Sequence, residues 1–131
     1  MSIAPWKLPI RTLRWGRFAA DSDSIVWIDW LGDFTRRLVY WNGQTAATAL
    51  LEDGVIEFRD GARLLMDRSL VLREGPLGST VLSAVPGFHD TFPARLLRVN
   101  ECKWRSRARL DRPGASPVEA WAIHERVDWP A

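Results

Sequence analysis

Apolar side chains recur at every second position over short runs of this chain, and each run ends in a cluster of turn-forming residues. The turn signals include Asp21-Ser22-Asp23-Ser24, Trp41-Asn42-Gly43, Glu52-Asp53-Gly54, Arg59-Asp60-Gly61, Glu74-Gly75-Pro76, Val85-Pro86-Gly87 and Arg112-Pro113-Gly114. Between them lie β-branched and aromatic runs that predict about nine strands, near 10–19, 24–31, 36–42, 45–51, 54–59, 63–73, 79–85, 95–110 and 118–128. The fold class is therefore all-β, with at most one helical turn near Phe88–Ala94 that Pro93 keeps short. Many antiparallel strands in one small domain close into a barrel or stack as a sandwich, and the meander of hairpins favours a single antiparallel barrel.

Individual strands carry most of the information. Lys103, Arg105, Arg107 and Arg109 share one face of their strand, and Cys102, Trp104, Ser106, Ala108 and Leu110 the other, so Trp104 is expected to point inward. In 24–31, Ile25, Trp27, Asp29 and Leu31 share a face, which sets a carboxylate among apolar neighbours. Such a group needs a partner or a proton. A hairpin centred between Ser22 and Asp23 puts Asp29 opposite Gly16, with Trp15 and Arg17 on the diagonals. Asp29 is thus either a proton donor with a raised pKa or half of an ion pair with Arg17. In the last strand Trp121, Ile123 and Glu125 share a face, which makes Glu125 a second inward carboxylate if the Trp side is inside, and a rim residue otherwise.

The composition sharpens the ligand question. Eight Trp in 131 residues exceed what so small a core needs. An aromatic-lined cavity for a hydrophobic small molecule, with Trp15, Trp27, Tyr40, Trp41, Trp104 and Trp121 as candidate contacts, is one account; core packing together with a homodimer interface is the other. With 18 basic and 16 acidic residues the net charge is +2, and the cations of 101–110 lie opposite the aromatic face of their own strand, so nucleic acid is not an expected partner. Two His and one Cys lack metal-ligand spacing, no phosphate loop or nucleophile elbow occurs, and neither metal nor cofactor is expected. The start of the chain lacks the features of a secretory signal, no apolar run is long enough to span a bilayer, and the lone Cys102 suits a reducing compartment, so a cytoplasmic location is expected.

The segments Leu13-Arg14-Trp15-Gly16-Arg17-Phe18, Ile25-Val26-Trp27-Ile28-Asp29-Trp30 and Trp121-Ala122-Ile123-His124-Glu125-Arg126-Val127 resemble the carotenoid 1,2-hydratase (hydroxyneurosporene synthase) group and its lipocalin-like relatives. The resemblance implies a lipocalin-like barrel that takes a polyene or isoprenoid-like molecule. It also implies hydratase or cyclase chemistry in which Asp29 protonates an alkene, Arg17 matches the motif, and Trp15 and Trp27 stabilise a cation. Members of the group carry two consecutive barrels and this chain has room for one, so a site of that kind calls for a homodimer. Three readings stay open: an enzyme of this type, a non-catalytic carrier or sensor of the same ligands, and an interaction module with Trp at an interface.

Overall fold

The computed structural model describes residues 10–33, 35–76 and 99–129. Ten strands form one sheet: β1 (Ile10–Ala19), β2 (Ser24–Gly32), β3 (Arg36–Trp41), β4 (Gln44–Thr45), β5 (Thr48–Leu51), β6 (Val55–Phe58), β7 (Arg63–Met66), β8 (Leu70–Pro76), β9 (Asn100–Asp111) and β10 (Val118–Asp128). Every pairing is antiparallel, in the order β4-β3-β2-β1-β10-β9-β7-β6-β5, with β8 continuing beyond β7 along the same edge of β9. The sheet is strongly curled into a half-barrel, as expected for a lipocalin-like single β-barrel.

The boundaries of β1 and β10 coincide with the predicted ones. The predicted run 45–51 is split into β4 and β5, because the chain leaves the edge of β3 and joins β6. The predicted run 63–73 is broken between Met66 and Leu70. The strand expected at 79–85, the first residues of that expected at 95–110 and the helical turn near Phe88–Ala94 lie outside the described residues.

One register differs from expectation. The β1–β2 turn closes over Ala20–Asp23, with the Ala20 amide donating to the Asp23 carbonyl at 2.8 Å, and Asp29 consequently pairs with Arg14 while Gly16 pairs with Trp27. Arg17 is on the opposite face, exposed, so the anticipated Asp29–Arg17 pair does not form. The β3–β4 connection is the two-residue turn read from Trp41-Asn42-Gly43, with φ of 50° at Asn42 and 80° at Gly43, the left-handed pair that matches strand twist.

The core fills one end of the half-barrel. Phe18, Ile25, Val39, Phe58, Leu64, Leu110 and Ala122 are buried together, with Trp41 against Phe58 at 4.9 Å between ring centres. Buried Asp23 closes that end, accepting from Trp41 Nε1 at 3.0 Å and pairing with Arg112 at 3.4 Å. On the seam between β3 and β5–β6, the Ala46 amide bonds Val39 and the Arg59 amide bonds Ala47, at 2.8 and 3.1 Å. Beyond that point Arg37 Nη1 reaches across from β3 to Thr48 Oγ1 of β5 at 3.4 Å.

Candidate functional site: the open mouth of the half-barrel

Strand alternation dictates which side chains face the interior of the half-barrel. Arg14, Gly16 and Phe18 of β1, Trp27 and Asp29 of β2, Trp104 and Ser106 of β9, and Ala122, His124 and Arg126 of β10 all face inward by register. Trp27 can lie across the interior because Gly16 has no side chain: a Cβ there would run into the Trp27 ring and come within 2.7 Å of the His124 Cβ. His124 sits between two indoles, its ring centre 6.5 Å from Trp27 and 5.1 Å from Trp104. Its Nε2 lies 2.7 Å from Ser106 Oγ, which also accepts from the Arg68 amide at 2.8 Å. Burial lowers the His124 pKa to about 4, so the ring is neutral near pH 7. Ser106 and His124 are both buried, and this Ser–His pair is a satisfied polar contact of the interior without access to a substrate.

Beyond this aromatic floor the interior becomes ionic. Asp29 is 1% exposed and takes a hydrogen bond from Arg37 Nε at 3.0 Å through Oδ1, while its Oδ2 has no hydrogen-bond partner among the described residues. Asp53, at the tip of the β5–β6 hairpin, reaches across the opening to accept from Arg14 Nε at 2.8 Å and from Arg126 Nη1. Arg126 Nε in turn donates to Asp128 at 3.1 Å, and Thr12 Oγ1 donates to the same carboxylate at 3.0 Å. A belt of charge thereby ties the hairpin to β1 and β10.

Arg68 completes the mouth. It is a non-glycine residue at φ 53°, a left-handed conformation disfavoured by Cβ sterics. Asp67 Oδ1 holds it there by accepting from the amides of Ser69 and Arg107, at 2.9 and 3.0 Å. The guanidinium lies 5.9 Å from the centre of the Trp104 ring. Together with Arg14, Arg37, Leu31, Leu50 and Met66 it borders a cleft of about 700 Å³ that opens to solvent, with Glu52 and Asp53 at its edge.

The anticipated site residues are distributed over both faces. Trp27, Trp41 and Trp104 are inward, Trp41 in the closed end. Trp15 is on the outer face under Lys103, 5.6 Å from its ring, and exposed Trp121 packs beneath Arg105 and Arg107 at 4.2 and 5.7 Å. Tyr40 is also exposed. Glu125, on the Trp121 face, is outside the barrel, beside Glu101, whose carboxyl is buried and paired with Arg73 at 3.5 Å. Burial, then a hydrogen bond and like charge from Glu101, pushes the Glu125 pKa up. Cys102 faces inward, and burial followed by the Glu74 charge raises its thiol pKa, which makes it a poor nucleophile. A second groove, of about 690 Å³, runs over the outer face between Leu65, Arg107, Arg109, Glu119 and Trp121, but its polar groups are solvated rather than held inside the fold.

Asp29 is thus the one member of the anticipated catalytic set at the mouth, and its ion-pair partner Arg37, with Arg14, Asp53 and Arg68, was not anticipated. Arg14 shares the inward face of β1 with Gly16, and Arg37 is inward because β3 pairs with β2 in the register that sets it opposite Asp29. Nothing in the local sequence marks Arg68 as left-handed or Asp53 as a bridge.

Fold and site together define a curled antiparallel half-barrel with an apolar closed end and an ionic, open mouth. Among the described residues no group of three His, Cys, Asp or Glu side chains could hold a metal ion, and no helix is long and apolar enough to cross a membrane. Comparison with protein-family models, with curated proteins and with solved structures gives no match.

Proposed function

We propose that this protein binds a hydrophobic small molecule of polyene or isoprenoid-like character at the mouth of the half-barrel, as a carrier or sensor. The observation that carries the reading is the cleft of about 700 Å³, where Leu31, Leu50, Leu51, Val55 and Met66 share the walls with the charged residues of the mouth. The resemblance of the Trp-Gly-Arg and Trp-x-Asp segments to the carotenoid hydratase group supports the same ligand class. Acid-catalysed hydration or cyclisation is the second reading, and the Oδ2 of Asp29 favours it because, among the described residues, no hydrogen bond engages that oxygen. The Arg37–Asp29 pair supports the carrier form instead, since the carboxylate is already engaged by a guanidinium at 3.0 Å.

The test is titration with two neutral probes, retinol and the methyl ester of cis-parinaric acid, followed by intrinsic Trp fluorescence. Saturable quenching at about one probe per chain is expected, with Trp104 and Trp27 as the nearest reporters. Linear, non-saturating quenching by both probes overturns the reading. Turnover of a polyene lost in Asp29→Asn with binding retained establishes the catalytic form.

A further inference from the structure

The charges at the mouth do not balance. Arg14 and Arg126 share Asp53, Arg126 also bonds Asp128, and Arg37 bonds Asp29. Arg68 has no carboxylate partner among the described residues, and its guanidinium faces the cleft beside Trp104 and the Asp53-Gly54 turn. Arg68 and Glu52 are both exposed at the rim. Counted over all the charged residues that line the cleft, Arg14, Arg37 and Arg68 face Glu52 and Asp53, one more positive charge than negative.

The backbone that presents Arg68 is unusual in the same sense. The strand pairing along β9 is interrupted at 67–69, and Arg68 adopts φ 53° although it is not glycine. Its amide is fixed by Ser106 Oγ, itself held by His124, and the residues on either side are fixed through Asp67. Two buried side chains and one carboxylate are committed to a conformation that a continuous β7–β8 strand would avoid, and their effect is to turn this guanidinium into the cleft. Sparsely populated backbone held in this way by its surroundings clusters at ligand-contact positions.

We propose that the mouth is a carboxylate-binding site, in which Arg68 pairs with the head group of an amphipathic ligand, Arg14 and Arg37 flank it, and the apolar part lies on Leu31, Leu50 and Met66. The inference rests on the hydrophobic-ligand reading above and adds the charge of the ligand to it. A single uncompensated cation selects a monoanion, and a planar fork of N–H donors suits a carboxylate.

The experiment compares cis-parinaric acid with its methyl ester at pH 7.5, on wild type, Arg68→Gly and Arg68→Lys. Glycine adopts the left-handed conformation without strain, so Arg68→Gly removes the guanidinium while keeping the turn. Wild type should bind the acid at least tenfold more tightly than the ester, about the effect of one charge-assisted hydrogen bond. Arg68→Gly should abolish that preference and leave the ester affinity within about twofold, and Arg68→Lys should retain part of it, since it keeps the charge and loses the fork. Equal binding of acid and ester by wild type, or a preference that survives in Arg68→Gly, overturns the inference and leaves the hydrophobic pocket standing. Failure of both probes to saturate wild type overturns the pocket and the head-group site together.

Discussion

Asp29 and Arg37 are unequal partners. The carboxylate side chain is 1% exposed and the guanidinium 32%, so each can be removed with different consequences. Asp29→Asn leaves Arg37 able to turn into water, and the expected cost is about 1 kcal/mol. Arg37→Gln leaves a buried carboxylate whose Oδ2 already has no hydrogen-bond partner among the described residues, and the expected cost is about 3 kcal/mol. Urea denaturation at pH 7 should show the arginine variant to be the less stable of the two by about 2 kcal/mol. The reverse order would mean that Asp29 is hydrated or otherwise paired. At this scale the sequence identified the acid and not its partner: burial cost follows from the apolar neighbours of Asp29, whereas the partner depends on how β3 pairs with β2, which sets Arg37 opposite Asp29.

Among the elements, the β5–β6 hairpin has the weakest claim to its place by strand pairing alone. Its strands are short, β5 (Thr48–Leu51) and β6 (Val55–Phe58), and they end the sheet. Asp53 at the hairpin tip supplies the lateral anchor, spanning to Arg14 on β1 and Arg126 on β10. Its side chain is 11% exposed, so the bridge is only partly screened. Asp53→Ala leaves Arg14 and Arg126 side by side without their counter-charge, and should destabilise the protein by about 2 kcal/mol. The amides of 50–57 should exchange with deuterium faster than those of the β9–β10 pair, by a larger factor than in wild type. An unchanged exchange pattern would show that the hairpin is held by its apolar side chains Leu51, Ile56 and Phe58 and not by the charge belt.

For the molecule as a whole, His124 sets a pH dependence. Its pKa is about 4 in the fold against 6.5 for a free side chain, and the cause is burial. As pH falls from about 6.5 toward 4, the unfolded chain binds a proton that the folded one refuses, so this group withdraws stability over that window and nothing further below it. The loss amounts to about 2 to 3 kcal/mol. Glu125 works in the opposite direction, because its raised pKa favours the protonated form in the fold: its contribution is present below the ordinary glutamate value of 4.5 and is lost as pH rises through the folded value. The comparison that isolates His124 is wild type against His124→Gln, which keeps a partner for Ser106. The stability advantage of wild type over the variant should shrink by about 2 kcal/mol between pH 7 and pH 4. A constant difference would show that His124 is not held neutral by the fold.

The sequence by itself determined the all-β class, most strand boundaries, the inward set of β9 and the apolar face of β2, because period-two alternation and turn chemistry are local properties of a few adjacent residues. It could not determine which face of β10 is inside. Trp121 and Ile123 are the more apolar side by composition, yet Ala122 and His124 face inward, since the curled sheet leaves room there only for small side chains and one ring between Trp27 and Trp104. The mouth belongs wholly to the tertiary structure. Arg14, Asp53, Arg68 and Arg126 are distant in sequence, and the register of three strand pairs, a hairpin tip and one left-handed residue bring them together. Alternation tells which side of a strand a residue occupies; only the closure of the sheet tells what it meets there.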